Sequence, residues 1–189
     1  MNPSNANIED LKGFELYGEF VLNTNDSKTL IKLTNKHANN QKGGHVYCIV
    51  VNGIVKKIGC SMTELSNYAG YGVGNAGSPS DRTVGIHYYI ARELFLGKSV
   101  KFYYQMCPTI KEIPYINIYG EEGIANRNVF IDKKIMESIH LEAFHSRYNG
   151  YPDWNKQEGG RDNDWEKSIK DIRESLCSGQ TITYSEEHE

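Results

Sequence analysis

The chain has 189 residues, of which 39% are hydrophobic and 24% charged, and its formal net charge is −3. That is long enough for one domain with a sizeable core, and no apolar run approaches the length that spans a bilayer. A negative balance gives no general basic footprint, so contact with nucleic acid has to rest on local charge. There is no charged-then-apolar leader, and Cys48, Cys60, Cys107 and Cys177 form no Cys-x-x-Cys pair. A cytoplasmic protein with reduced thiols and no membrane partner is therefore expected.

Residues 1–24 turn from polar to partly apolar (Phe14, Leu16, Tyr17, Phe20, Val21, Leu22) and read as a short helix or strand packed on the domain. Asp26 or Ser27 can cap a helix through Leu30, Ile31 and Leu33. Its other face carries Lys28, Lys32 and Lys36, a solvated surface or a set of phosphate contacts. A polar loop from Asn39 to Gly44 leads out of it.

From Gly44 to Cys60, two β-branched runs flank Asn52-Gly53, a strong hairpin signal. Tyr47 lies in the first run and Lys57 in the second. A two-residue loop would put Val51 opposite Ile54 and turn Tyr47 and Lys57 to opposite faces. A three-residue loop, Val51-Asn52-Gly53 with Gly53 left-handed, puts Tyr47 directly across from Lys57. The three-residue register is expected, because Gly53 suits the bulge position of such a loop.

The stretch from Tyr68 to Pro79 holds four glycines, two tyrosines and a proline, and is a loop. No Gly-Lys-Ser/Thr closes it, so it is no nucleotide-phosphate loop of the usual kind. Tyr68 and Tyr71 are available there to stack on or wedge into DNA. Ser80-Asp81 then caps a helix with Ile86, Tyr89, Ile90, Leu94 and Phe95 on one side, ended by Gly97. Arg82 lies in its first turn, where the helix dipole favours anions, and a bound phosphate would account for it. His87 follows just over a turn later, and Arg92 competes with Arg82 for that role.

Alternation through Val100, Phe102, Tyr104 and Met106 predicts a third strand beside the hairpin. Residues 108–131 read as irregular, with a short strand over residues 116–119 and Arg127-Asn128 in a polar loop. Asp132 caps a helix over residues 132–148 on which Glu137 shares a stripe with Leu141 and Phe144, while Glu142 faces water. A carboxylate at a core edge is costly unless a metal or a cation answers it. Asn149 and Asn155 follow this helix. Asp164 caps a last amphipathic helix with Trp165, Ile169, Ile172 and Leu176, before an acidic tail.

The hairpin resembles the signature of the GIY-YIG nuclease superfamily. His45-Val46-Tyr47 stands at its first tripeptide and Lys57-Ile58-Gly59 at its second. His-Val replaces the first Gly-Ile, and Lys replaces the second Tyr, as in some restriction endonucleases of that superfamily. Arg82 with His87 is similar to the Arg and the His or Tyr a turn later on the family's next helix. Glu137, Leu141, Phe144 and Tyr148-Asn149 are similar to its Glu helix, with Asn155 a rival for the Asn.

The resemblance covers residues 44–155. It implies a small α/β (α+β) domain with a central three-stranded antiparallel or mixed sheet flanked by helices. An N-terminal arm and helix (1–43) and a C-terminal helix and tail (156–189) complete one structural unit, the glycine-rich loop being a further addition.

The implied function is that of a metal-dependent, sequence-specific endodeoxyribonuclease of the restriction type. Glu137 would be the sole protein ligand of one Mg²⁺, with Mn²⁺ a possible substitute. Tyr47 would be the general base, its phenolate favoured by the charge of Lys57. Arg82, with His87, would neutralise charge building on the phosphorus, and Asn149 or Asn155 would fix the geometry. The implied partner is double-stranded DNA, met by a homodimer on a palindromic site. A homing or repair-type nuclease, and a catalytically silent DNA-binding module, are the alternatives.

Overall fold

In a computed structural model of the chain, the residues described are 2–23, 31–35, 43–62, 64–68, 71 and 81–155. Nine regular elements follow in order: β1 (Glu15–Leu22), β2 (Ile31–Asn35), β3 (His45–Val51), β4 (Ile54–Ser61), α1 (Asp81–Phe95), β5 (Val100–Met106), β6 (Thr109–Ile116), β7 (Glu122–Phe130) and α2 (Lys133–Tyr148). Five strands form one sheet in the order β2-β1-β5-β3-β4, and every neighbouring pair is antiparallel. The mixed α and β architecture is as expected. The sheet is wider than the three strands predicted, because β1 and β2 extend it beyond β5.

Side chains alternate across β3 and so build two cores. Tyr47, Ile49 and Val51 join Tyr17, Phe20 and Phe102 under Ile86, Ile90 and Ala91 of α1. Val46, Cys48 and Val50 join Val55 and Ile58 under Leu141, Phe144 and Tyr148 of α2. A helix on each face explains why all seven residues of β3 are buried and why its sequence is a nearly unbroken apolar run.

Some sequence expectations change. The helix predicted through Ile31 and Leu33 is strand β2 over its described part. Ile31 and Leu33 are buried while Lys32 is exposed, an alternation that β1 reads by pairing with it. The segment expected to be irregular after Cys107 is a second hairpin, β6 with β7, closed by a turn in which Asn117 accepts from the N–H groups of Tyr119 and Glu121. Its exposed, mixed side chains carry no clear period, which hides it from pattern reading. Residues 2–23 resolve into two short 3₁₀ turns and β1. The predicted caps at Asp26 and Ser27, most of the glycine-rich loop and the helix after Asp164 lie outside the described residues.

The β3–β4 turn differs as well. It has two residues, Asn52 and Gly53, both at positive φ (47° and 86°), and Val51 faces Ile54. The register then slips: Val50 pairs with Val55, but Ile49 pairs with Lys57 and Tyr47 with Gly59. Lys56 is the extra residue, a β-bulge in β4. The slip brings Lys57 back to the face that carries Tyr47, two pairs along the ladder and opposite Ile49 rather than opposite Tyr47.

The bulge is stabilised from outside the sheet. The Lys56 carbonyl accepts from the Trp154 N–H at 2.8 Å, and its ammonium meets Asp153 at 2.6 Å. Earlier in β4, the Ala6 carbonyl accepts from the Val55 N–H. The first residues of the chain and residues 153–155 thus line the outer edge of β4 together.

Candidate active site

Tyr47 is 6% exposed and its ring lies flat over Gly59. A Cβ at Gly59 would sit 2.5 Å from the Tyr47 Cζ and hydroxyl oxygen, so only glycine leaves room for the ring. Phe102 stacks on Tyr47 at 5.4 Å between centroids, and Tyr68 closes in at 5.1 Å. The Tyr47 hydroxyl makes a 2.6 Å hydrogen bond with that of Tyr71, and both oxygens are buried. The loop tyrosines therefore turn inward to line the Tyr47 pocket instead of projecting as a wedge.

Lys57 is 1% exposed, on the same sheet face, opposite Ile49. An ammonium so placed is tolerated only where polar groups answer its charge. α1 covers this face. Arg82 stands in its first turn. His87 is fully buried on the same helix as the core residues Ile86, Ile90 and Ala91. Arg92, in the last turn, lies close enough to Tyr88 for its charge to oppose the upward push of burial on that phenol.

Glu137 belongs to the other face. It is half-buried on α2, on the stripe that carries Leu141 and Phe144, and Glu142 is exposed, as the helical pattern predicts. The Cys60 thiol donates to Glu137 Oε2 at 3.0 Å. Burial first, then the Glu137 carboxylate, pushes the Cys60 thiol up to about 12. Cys60 follows Gly59 directly, so Glu137 reaches the sheet one residue from the pair that carries Tyr47.

The two candidate asparagines separate cleanly. Asn155 is 2% exposed; its side chain accepts from the Ile58 N–H at 2.9 Å and donates to the Ile58 carbonyl at 2.8 Å. It thereby clamps the backbone between Lys57 and Gly59. Asn149 is exposed and left-handed (φ 56°), the C-cap of α2, with its N–H on the His145 carbonyl.

His45 precedes this group. It is buried, donates through Nδ1 to the Gly43 carbonyl at 3.1 Å, and packs edge-on against Tyr68. Burial lowers its pKa, more than the Gly43 bond raises it. The Cys60 thiol is not apparent from sequence, and Tyr71, singled out there as a residue to stack on DNA, has its hydroxyl on Tyr47. Tyr71 belongs to a loop without periodicity, and Cys60 is one of four scattered cysteines with no motif around it.

Among the described residues no group of three or more His, Cys, Asp or Glu could hold a metal ion. An all-protein metal cage is therefore not built there. A single accessible carboxylate fits Mg²⁺, which keeps several waters and is bound through one or two carboxylates and substrate phosphates.

No family model and no curated protein matches the chain. Among solved structures it is similar to a mutant of bacteriophage T4 EndoII, with 21% identity, 75% of this chain and 90% of that one covered, and a TM-score of 0.42. It is also similar to the restriction endonuclease HPY188I in complex with product DNA, with 21% identity, coverage of 79% and 86%, and a TM-score of 0.40.

Proposed function

We propose that this chain is a Mg²⁺-dependent endodeoxyribonuclease of the GIY-YIG type, cutting DNA at a specific sequence as restriction enzymes do. One observation carries the reading. A tyrosine laid over a glycine on the neighbouring strand, its hydroxyl held in a short buried hydrogen bond, shares its sheet face with a buried lysine. A plain structural hairpin needs neither polar group.

In this reading Tyr47 takes a proton from the water that attacks phosphorus. A free phenol with a pKa near 10 is a weak base at neutral pH, and the positive charge of Lys57 on the same face favours its phenolate. Arg82 in the first turn of α1 meets the phosphate, where the helix terminus already favours an anion. His87, fully buried on α1, would position that helix rather than touch the phosphate. Glu137 is the carboxylate that would hold the metal; bound there, the ion would polarise the phosphate oxygens. Asn155 fixes the backbone of the Lys57–Gly59 tripeptide, and Asn149 serves α2. The partner is double-stranded DNA, and a palindromic site would call for two copies of the chain.

The test is cleavage of plasmid and genomic DNA by purified protein, with Mg²⁺ and with chelator, beside Glu137→Ala. Discrete metal-dependent fragments, lost in the variant, are expected. DNA that is shifted on a gel but left whole would replace this reading with that of a silent DNA-binding module.

A further inference from the structure

The Tyr71 hydroxyl lies 2.6 Å from that of Tyr47, in a buried hydrogen bond. Tyr71 is 8% exposed, and it sits at φ 48°, a left-handed conformation that a bulky side chain adopts only when its surroundings impose it. Its N–H bonds the Tyr68 carbonyl at 2.9 Å, directly after the 3₁₀ turn Leu65–Tyr68 whose Leu65 is fully buried. Its ring lies 5.9 Å from Tyr68 and 6.4 Å from Tyr47. The Tyr71 backbone is thus fixed on Tyr68 and its ring on Tyr68 and Tyr47, and together they carry its hydroxyl to the Tyr47 oxygen.

We propose that Tyr71 is a positioning residue for Tyr47, donating a hydrogen bond that holds the Tyr47 oxygen over Gly59 and eases its loss of a proton. This rests on the reading of Tyr47 as the base. Either hydroxyl can donate while both are neutral. Once Tyr47 has lost its proton it can only accept, and Tyr71 becomes the donor. A distance of 2.6 Å suits an O–H donating to an oxyanion. The bond therefore strengthens as Tyr47 ionises, which makes the phenolate easier to reach. The second deprotonation of the pair is correspondingly harder, because it would set two phenolates side by side.

The experiment is a pH series on Tyr71→Phe, which removes one oxygen and keeps the ring. Cleavage rate against pH is read beside fluorine NMR of fluorotyrosine-labelled protein, with Tyr47 and Tyr71 signals assigned from the single variants. In Tyr71→Phe the Tyr47 signal is expected to titrate about one pH unit higher. The acid limb of the rate profile moves with it, cleavage at neutral pH falls about tenfold, and the rates converge at high pH. An unmoved Tyr47 titration, or a rate lowered equally at every pH, overturns the proposal.

Tyr47→Phe tests the same coupling from the other side, should Tyr71→Phe not fold. Tyr71 is then expected to titrate lower, freed of its ionised neighbour, and an unchanged Tyr71 titration also overturns the proposal. Wild-type protein that shows the coupled titrations but leaves DNA whole supports the pairing and sinks the nuclease reading instead.

Discussion

The Cys60 thiol of β4 donates to the Glu137 carboxylate of α2 at 3.0 Å. This bond adds to the packing of Leu141, Phe144 and Tyr148 that holds the Glu helix on the strand carrying Gly59. Structural partner and metal ligand make different demands on Glu137, and the two can be separated. Glu137→Ala is expected to reduce Mg²⁺-dependent cleavage at least about 100-fold while costing no more than about 1 kcal/mol of stability for the lost hydrogen bond, since the carboxylate is half-exposed. Cys60→Ala removes the same hydrogen bond, costs about 1 kcal/mol, and retains cleavage. Urea unfolding and plasmid cleavage on both variants decide the matter; equal loss of cleavage in the two would mean that Glu137 acts only through Cys60.

Gly59→Ala is expected to be harmful out of proportion to its one methyl group. The added carbon would meet Tyr47 at 2.5 Å, against a ring already packed by Phe102 and Tyr68. Relief requires the ring to move, at a cost of about 1–3 kcal/mol. The Tyr47 hydroxyl moves with the ring, so cleavage falls more than stability alone explains. Activity measured well below the melting temperature separates the two effects.

The asparagines offer a paired contrast. Asn155→Ala leaves the buried N–H and carbonyl of Ile58 without their partner and is expected to cost about 3 kcal/mol. Asn149→Ala places a Cβ-bearing residue without local polar support at φ 56° and costs about 1 kcal/mol, whereas Asn149→Gly is close to neutral. Denaturant midpoints for the three variants check the order. An Asn149→Ala effect on cleavage larger than that of Asn155→Ala would reverse the assignment.

Acid is expected to destabilise the fold through histidines. Burial lowers the pKa of both His45 and His140 in the folded chain. The unfolded chain then binds more protons once the pH drops below about 6.5, the ordinary histidine value. Stability therefore falls as pH decreases from there toward the folded pKa values, and the loss levels off below them. His140, edge-on to Phe14 at 5.2 Å, is the simpler one to replace. His140→Phe should flatten the stability-against-pH curve in that window, as followed by thermal melts across a buffer series.

The paired polar groups of the hairpin are legible in the sequence because they interrupt apolar runs where a core strand has no need of them. The face they share is legible too, but by the wrong route. A two-residue turn at Asn52-Gly53 with a regular ladder would part Tyr47 from Lys57, whereas the bulge at Lys56 restores their common face. Nothing about Lys56 announces a bulge; the cause lies at Asp153 and Trp154, nearly a hundred residues away. Glu137 is legible from helical period alone, since helix side chains declare their face locally. Strand β2 and the hairpin of β6 and β7 are not, because a strand is defined by a partner that local pattern does not name. The division of labour between Asn149 and Asn155 turns on one backbone φ and one buried clamp, neither of which composition reveals.

The sheathing of β4 also carries a consequence for the order in which the molecule is made. The bonds from Asp153 to Lys56 and from Asn155 to Ile58 each span 97 positions in sequence. Closing so long a loop is slow compared with forming a local hairpin. During synthesis, β3 and β4 emerge early, the first residues of the chain cover the start of β4 at Val55, and the rim from Lys56 to Ile58 then waits open until residues 153–155 leave the ribosome. An open rim of that kind invites pairing with other chains. The clamp on the Lys57–Gly59 backbone closes at the same late step. A nascent chain stalled before Asp153 therefore combines an open rim with an unfinished centre, and residues 153–155 remove both conditions together.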